Sequence, residues 1–343
     1  MKVAVVYNEP VKGKPDSEDV LDEVSFAVRV LSELGHSHKL FPLRCVSGKN
    51  GDNPAGAKKP SSSLNEAVFY LMFQLKKYKP DAIFNLVEGV NDDPVYQQFF
   101  VLLFEYLGYP FTGSGYSAML STSDKSIAKM LMNGFNISTP VYDEYRGMNK
   151  GFTGKPPWIV KPALEDASIG IDETSVYRNK KHMLASLPRI YERHGRQTLI
   201  VEQYIAGREF NVSLLEQPGG QVEVLPVAEI VFNEWPEDKP MIVGYSAKWD
   251  KKSFEHRHTQ RMFHPPDVKL DVIAHTALQC WKVFRLKGYA RVDIRVAEDS
   301  TVYVLEINAN PCISPDSGFI AAVREAGHPD SYFVSTILEV SMR

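Results

Sequence analysis

The chain has 343 residues, 39 lysines and arginines against 42 aspartates and glutamates, a formal net charge of −3 and a 44% hydrophobic content. That length exceeds one small core and points to two or three units, and the mixed charge, without a basic block or an aromatic-interleaved basic stripe, gives no electrostatic footprint for nucleic acid. No run of about 18 apolar residues occurs and the start MKVAVVYNEP lacks a signal-peptide core, while Cys45, Cys280 and Cys312 are scattered as free thiols would be in a reducing compartment, so a soluble cytoplasmic protein is expected.

Residues 2–7 form a β-branched apolar run, residues 20–34 have helical periodicity closed by Gly35, and residues 39–42 read as a second strand: a βαβ opening. Its first turn, YNEPVKGKPDSED, lacks the glycines that let backbone approach a pyrophosphate, which disfavours a nicotinamide oxidoreductase. Residues 47–63 are rich in turn residues and lysine and read as an exposed loop. An amphipathic helix at 64–77, a buried strand at 81–87 and a helix at 95–107 closed by Gly108 extend a parallel α/β unit to about residue 118.

A boundary near 119 opens a second unit, to residue 200. It holds a helix from Lys125 through Met132, a strand near Val141, the strand WIVKP, a loop at 163–170, a strand near Ser175, a helix around 182–194 and a strand from Thr198. The third unit, 201–343, carries strands at 209–216 and 222–232, a long polar loop at 249–266, a helix at 270–286, a hairpin at 289–308 and a terminal helix.

The hairpin is the most informative segment. Alternation in YARVDIRV sets Arg291, Asp293 and Arg295 on one face, and a turn at 298–300 puts position 291 opposite 308 and 293 opposite 306. Directly opposed like charges are destabilising, so Asp293, Glu306 and Asn308 call for a cation. Magnesium bound to these oxygens and to phosphate is one answer, and ion pairing of both acids with Arg291 and Arg295 is the other. Lys161 closes an apolar strand, where burying it is costly without an anion, and the following ALEDASIG loop is able to turn backbone N–H groups toward phosphate oxygens. Lys125 stands at a helix edge, and Glu202 and Glu209 in LIVEQYIAGREF are acids in apolar surroundings. His256, His258 and His264 lack the spacing of a closed zinc site. The serines near Gly170 and Gly318 are not in a GxSxG elbow, so a nucleophilic hydrolase has little support.

Taken in order, Lys125, Lys161 with its loop, VEQYIAGREF, SAKWD, ARVDI and LEINANP resemble the D-alanine-D-alanine ligase branch of the ATP-grasp superfamily, from about Asp81 onward. The resemblance implies an ATP-grasp fold: an N-terminal Rossmann-like parallel α/β domain, a central α+β subdomain and a C-terminal α+β domain. It implies ATP between two domains that close on it, with Lys125, Lys161, Ser168 and Lys248 toward phosphates, Glu202 and Glu209 holding adenosine, and backbone of Gln203, Tyr204 and Ile205 reading adenine. Asp293, Glu306 and Asn308 would hold two Mg²⁺ ions, or Mn²⁺, and the catalytic set would be Arg291, Lys248 and Ser317. The implied reaction joins a small carboxylate, activated as an acyl phosphate, to an amine, with a homodimer possible by analogy. A non-catalytic ATP-binding module and an ATP-grasp kinase are the alternatives. Three departures surround the acid substrate. Leu21 stands at the expected ammonium-binding glutamate, with Glu23 two residues on. Ala167, followed by Ser168, replaces the loop serine, and Trp249 replaces the lid tyrosine. LVEGVNDDP stands in place of HGxxGE, offering Glu88, Asp92 and Asp93 as new polar contacts, so a different acid is expected.

Overall fold

In the computed structural model, which describes residues 1–43, 62–90, 93–148 and 151–343, strand β1 (Lys2–Asn8) is buried on both faces. Val3 and Val5 pack toward one core and Ala4 and Val6 toward another, as the period of two requires when a parallel sheet is covered on both sides. Helices α1 (Pro15–Glu18) and α2 (Val20–Glu33) lead to β2 (Ser37–Leu43), and α3 (Ser62–Tyr78) leads to β3 (Ala82–Leu86) and α4 (Val95–Leu107). The strands lie parallel in the order β2-β1-β3. The lysine-rich segment up to residue 61, with Cys45, falls outside the described residues.

Helices α5 (Tyr116–Ser123) and α6 (Lys125–Gly134) follow. Asp124 starts α6 by accepting from the N–H groups of Ser126 at 2.8 Å and Ile127 at 3.3 Å, an N-cap that fixes where Lys125 begins. A second, antiparallel sheet joins β4 (Tyr142–Tyr145), β5 (Trp158–Pro162), β6 (Val176–Tyr177) and β7 (Leu199–Gln203) in the order β4-β7-β5-β6, with α7 (Lys180–Arg193) between its last two strands in sequence. Ser175, expected in a strand, ends a 3₁₀ turn just before β6.

The third sheet contains β8 (Arg208–Glu216), β9 (Val222–Val224), β10 (Ala228–Phe232), β11 (Thr259–Phe263), β12 (Tyr289–Val296) and β13 (Val302–Asn308). Its order is β11-β10-β8-β12-β13, with β9 also paired to β8. The single strand expected at 222–232 is divided at Leu225-Pro226-Val227, because proline offers no N–H to a ladder. The expected polar loop at 249–266 is instead ordered. Helix α8 (Tyr245–Trp249) ends in it, and α9 (Phe254–His258) and the edge strand β11 follow. Phe254 packs on Trp235, which packs on Phe232, and exposed Gln260, Arg261 and Met262 give β11 the polar sequence of an edge. Helix α10 (Leu270–Val283) covers this sheet together with α6, and the expected single terminal helix is two, α11 (Gly318–Glu325) and α12 (Asp330–Ser341), parted at Gly327 with φ +81°. Helix α12 packs back on α2, so Phe333 and Ile337 share a core with Phe26 and Val30.

The link from β7 to β8 turns at Gly207, φ +142°, where an added Cβ would stand 2.1 Å from the Val296 carbonyl oxygen. Only glycine fits this close approach of the link to the end of β12. Among the described residues no helix is long and apolar enough to cross a membrane.

Candidate active site

The hairpin β12–β13 has the expected register: Arg291 opposes Asn308 and Asp293 opposes Glu306, with an irregularity after Asp293. Asp293 Oδ1 accepts from Arg291 Nε at 2.7 Å and Asn211 Nδ2 at 2.8 Å, and its Oδ2 accepts from Arg291 Nη2 at 2.9 Å and Asn308 Nδ2 at 3.3 Å. Asn211 reaches the site because β8 runs beside β12 and places it opposite Asp293. Glu306 lies 3.1 Å from Lys125 Nζ. Arg295 does not serve this face: it is buried at 3% exposure and bonds Glu209 and the carbonyls of Ile205 and Met241.

The cations around the hairpin come from separate elements. Lys125 Nζ donates to the Glu165 carbonyl at 2.5 Å and to Asp166 at 3.4 Å. Lys161 Nζ meets Glu202 at 2.6 Å, and Lys129, which sequence reasoning missed, meets the same carboxylate at 2.7 Å. Glu202 is therefore buried between two ammonium groups and is not an isolated acid; Glu209 likewise has Arg295. Burial pulls Lys129 down to about 8 despite Glu202. Burial also works to raise Glu306, yet Lys125, Lys161 and Lys248 outweigh it and hold the carboxyl at about 2, fully ionised. Burial and the neighbouring Arg291 charge lower Lys248.

Two segments close over this cluster and hold each other. Ser168 Oγ donates to the Val243 carbonyl at 2.7 Å, Trp249 Nε1 to the Ala167 carbonyl at 3.1 Å, and the Tyr245 N–H to the Ile171 carbonyl at 2.9 Å. Ala167 and Ser168 both have positive φ, 55° and 62°, a backbone shape that cups the 163–170 loop. Ser317 caps α11, its Oγ accepting from the Ile320 N–H at 3.3 Å, so the hydroxyl proton is not used by the cap. In the β7–β8 link the N–H groups of Gln203 and Tyr204 are taken by the carbonyls of Val141 and Pro157, both at 2.8 Å, whereas no acceptor is found for the Ile205 N–H among the described residues.

Other expected positions stand elsewhere. Asp93 closes its own turn, accepting from the Val95 N–H at 3.1 Å, and Asp92 lies outside the described residues. Glu88 points inward to Glu23. The histidines diverge, His256 to the Ala247 carbonyl, His258 to that of Asn233 and His264 to Glu325. A small cavity lined by Gln97, Thr122, Ser123, Asp166, Asn308 and Asn310 adjoins the hairpin.

The donor chemistry fits a hard divalent ion and a polyphosphate. Asp293, Glu306 and Asn308 offer carboxylate and amide oxygens, and in this arrangement Arg291 and Lys125 supply the positive charge those acids require.

Known proteins resemble this chain in sequence and in fold. The family model described as D-ala D-ala ligase C-terminus matches residues 151–339. An uncharacterized protein, y4sG, of Sinorhizobium fredii is 30% identical over 363 residues, covering 100% of this chain and 97% of that protein. A D-alanine–D-alanine ligase of Aquifex aeolicus is 27% identical over 272 residues, 77% of this chain and 84% of the relative. The crystal structure of the D-alanine–D-alanine ligase of Bacillus anthracis complexed with ATP superposes with a TM-score of 0.73 at 19% identity, over 100% of this chain and 98% of that one.

Proposed function

Because the chain belongs to the D-alanine–D-alanine ligase family and has its ATP-grasp fold, we propose that it is an ATP-dependent carboxylate–amine ligase that works through an acyl phosphate and takes an acid other than D-alanine. The observation that carries this reading is the shared face of Arg291, Asp293, Glu306 and Asn308, ringed by Lys125, Lys161 and Lys248. Asp293, Glu306 and Asn308 would hold Mg²⁺, in one or two ions, with Mn²⁺ a chemically equivalent occupant. Bound there with ATP, it neutralises the charge of the transferring phosphoryl group.

Lys125, Lys161 and Lys248 bind phosphate oxygens, which gives the buried lysines an anion in addition to Glu202 and Glu306. Glu209 holds ribose, Glu202 fixes the lysines beside the nucleotide, and the free N–H of Ile205, in the link that includes Gln203 and Tyr204, is the donor for adenine. The γ-phosphoryl passes to an oxygen of the acid's carboxylate. The amine then attacks the carbonyl carbon, its N–H proton passes to the phosphate, and phosphate leaves carrying that oxygen. Arg291 turns from Asp293 to the oxyanion of the tetrahedral intermediate, while the Ser317 hydroxyl donates a hydrogen bond to the carboxylate of the accepting amino acid. The Ser168 loop and α8 exclude water, to which an acyl phosphate is labile. The test is ADP release with ATP and magnesium across a panel of acids paired with amino acids: one pair well above the ATPase background supports the reading, and none above it refutes it.

A further inference from the structure

Where α2 meets the segment after β13, acids gather that no basic side chain answers among the described residues. Asp19, Glu23 and Cys312 bring a carboxylate oxygen each and the thiol sulfur within 4.8 Å of one another. Glu23 is only 3% exposed; its Oε2 accepts from the Ile313 N–H at 3.3 Å, and its Oε1 is buried with no hydrogen-bond donor on it. Glu88 reaches the same place from the segment after β3, its backbone fixed by Asn8 Oδ1 at 3.0 Å and its carboxyl within hydrogen-bonding reach of Glu23. Burial and the neighbouring acids drive both glutamates up, Glu88 to about 7. Asn310, between Asn308 and Cys312 in sequence, donates to the Val87 carbonyl next to Glu88 at 3.4 Å, so this acidic cluster adjoins the proposed reaction centre.

We infer that the pocket receives a diamino acid: the substrate's carboxylate lies toward Arg291 and its two ammonium groups answer Asp19, Glu23 and Glu88. This rests on the ligase reading above. Empty, the cluster answers its burial by holding protons; two ammonium groups would let both glutamates ionise, whereas an alanine methyl against them would desolvate polar groups for no hydrogen bond. Six N–H donors on two ammonium groups, by contrast, suit the unfilled Glu23 Oε1 and its neighbours. A metal ion fits less well. The Cys312 thiol donates to Asp19 at 3.0 Å and lies 3.1 Å from Ser314 Oγ, which binds Asp316, so the sulfur is held as a protonated donor where a metal needs a thiolate.

The experiment compares kcat/KM for ADP release by the full chain with 2,3-diaminopropionate, ornithine and lysine, in both enantiomers, against alanine and glutamate as the acid, with the amine held constant. The expected result is a diamino acid preferred over alanine by roughly 10²-fold or more, since a site built for polar groups rejects an analogue lacking them. Glu23→Gln and Glu88→Gln, isosteric and checked for folding by circular dichroism, should each shrink that ratio at least tenfold. Alanine or glutamate serving as well as every diamino acid would overturn the inference while leaving the ligase reading intact. Should no acid support turnover, the ligase reading falls and calorimetric titration decides the pocket: diamino-acid binding weakened in Glu23→Gln sustains it, whereas no binding, or stoichiometric Zn²⁺ uptake lost in Glu23→Gln, overturns it.

Discussion

Arg291 holds Asp293 through two nitrogens, at 2.7 and 2.9 Å, and the catalytic use proposed for it requires that grip to open. Arg291→Ala should lower kcat by roughly 10² to 10³, the cost of one oxyanion donor, with the circular dichroism spectrum unchanged; near-normal turnover would remove it from the mechanism. Glu88 makes a stability prediction with a definite sign. An unfolded glutamate titrates near 4.5 and the folded one at about 7, raised by burial and then by Asp19, Asp166 and Asp16. Between those values the folded state keeps a proton that the unfolded chain has lost, so stability falls as pH rises from 4.5 to 7 and stays lower above it. Glu88→Gln should therefore be more stable than the parent at pH 8, on the order of 3 kcal/mol in denaturant unfolding, with the difference vanishing below about pH 4.5. At this scale the sequence showed what has a period. Arg291, Asp293, Glu306 and Asn308 were legible because a strand alternates and a short turn fixes opposition. Lys129, Asn211, Asp19 and Cys312 were not, since a mid-helix lysine or a strand asparagine carries no local mark of the distant residue it will face.

Among elements, the loop at 163–170 and α8 are tied by Ser168–Val243, Trp249–Ala167 and Tyr245–Ile171 bonds, so neither segment moves alone. Trp249→Phe keeps an aromatic ring, a smaller one, and removes the 3.1 Å bond from Nε1. It should raise the share of ATP hydrolysed without product by about 2- to 10-fold, the effect of losing a hydrogen bond of about 1 kcal/mol on closure; phosphate and ligated product measured in the same reaction give the ratio, and unchanged coupling would show that this contact does not govern water entry. The hairpin's register followed from alternation and turn position alone. The 249–266 stretch was opaque because an edge strand with solvent-facing Gln260, Arg261 and Met262 has the composition of a loop, and its support comes from aromatic contacts with Phe232 and Trp235.

For the whole molecule, the notable connection is between the chain's ends: α12 lies on α2, and Phe333, Val334 and Ile337 complete the core of Val3, Val5, Phe26 and Val30. Truncation after His328 should unfold the N-terminal sheet, because several buried side chains at about 1.5–3 kcal/mol each exceed a typical margin of stability; limited proteolysis would then cut within residues 1–43, and a resistant N-terminal fragment would contradict this. Apolar runs and helix stops announced the α/β order of the first unit, but no sequence pattern tells that the last helix returns to it. The proposed units of residues 1–118, 119–200 and 201–343 would meet at the proposed nucleotide and acid sites, which puts the proposed function at their junctions. The most direct test of the central claim is to label the preferred acid with heavy oxygen in its carboxylate and analyse the phosphate after one turnover. Transfer of one labelled oxygen to phosphate is predicted by carboxylate activation, and phosphate free of label would contradict it.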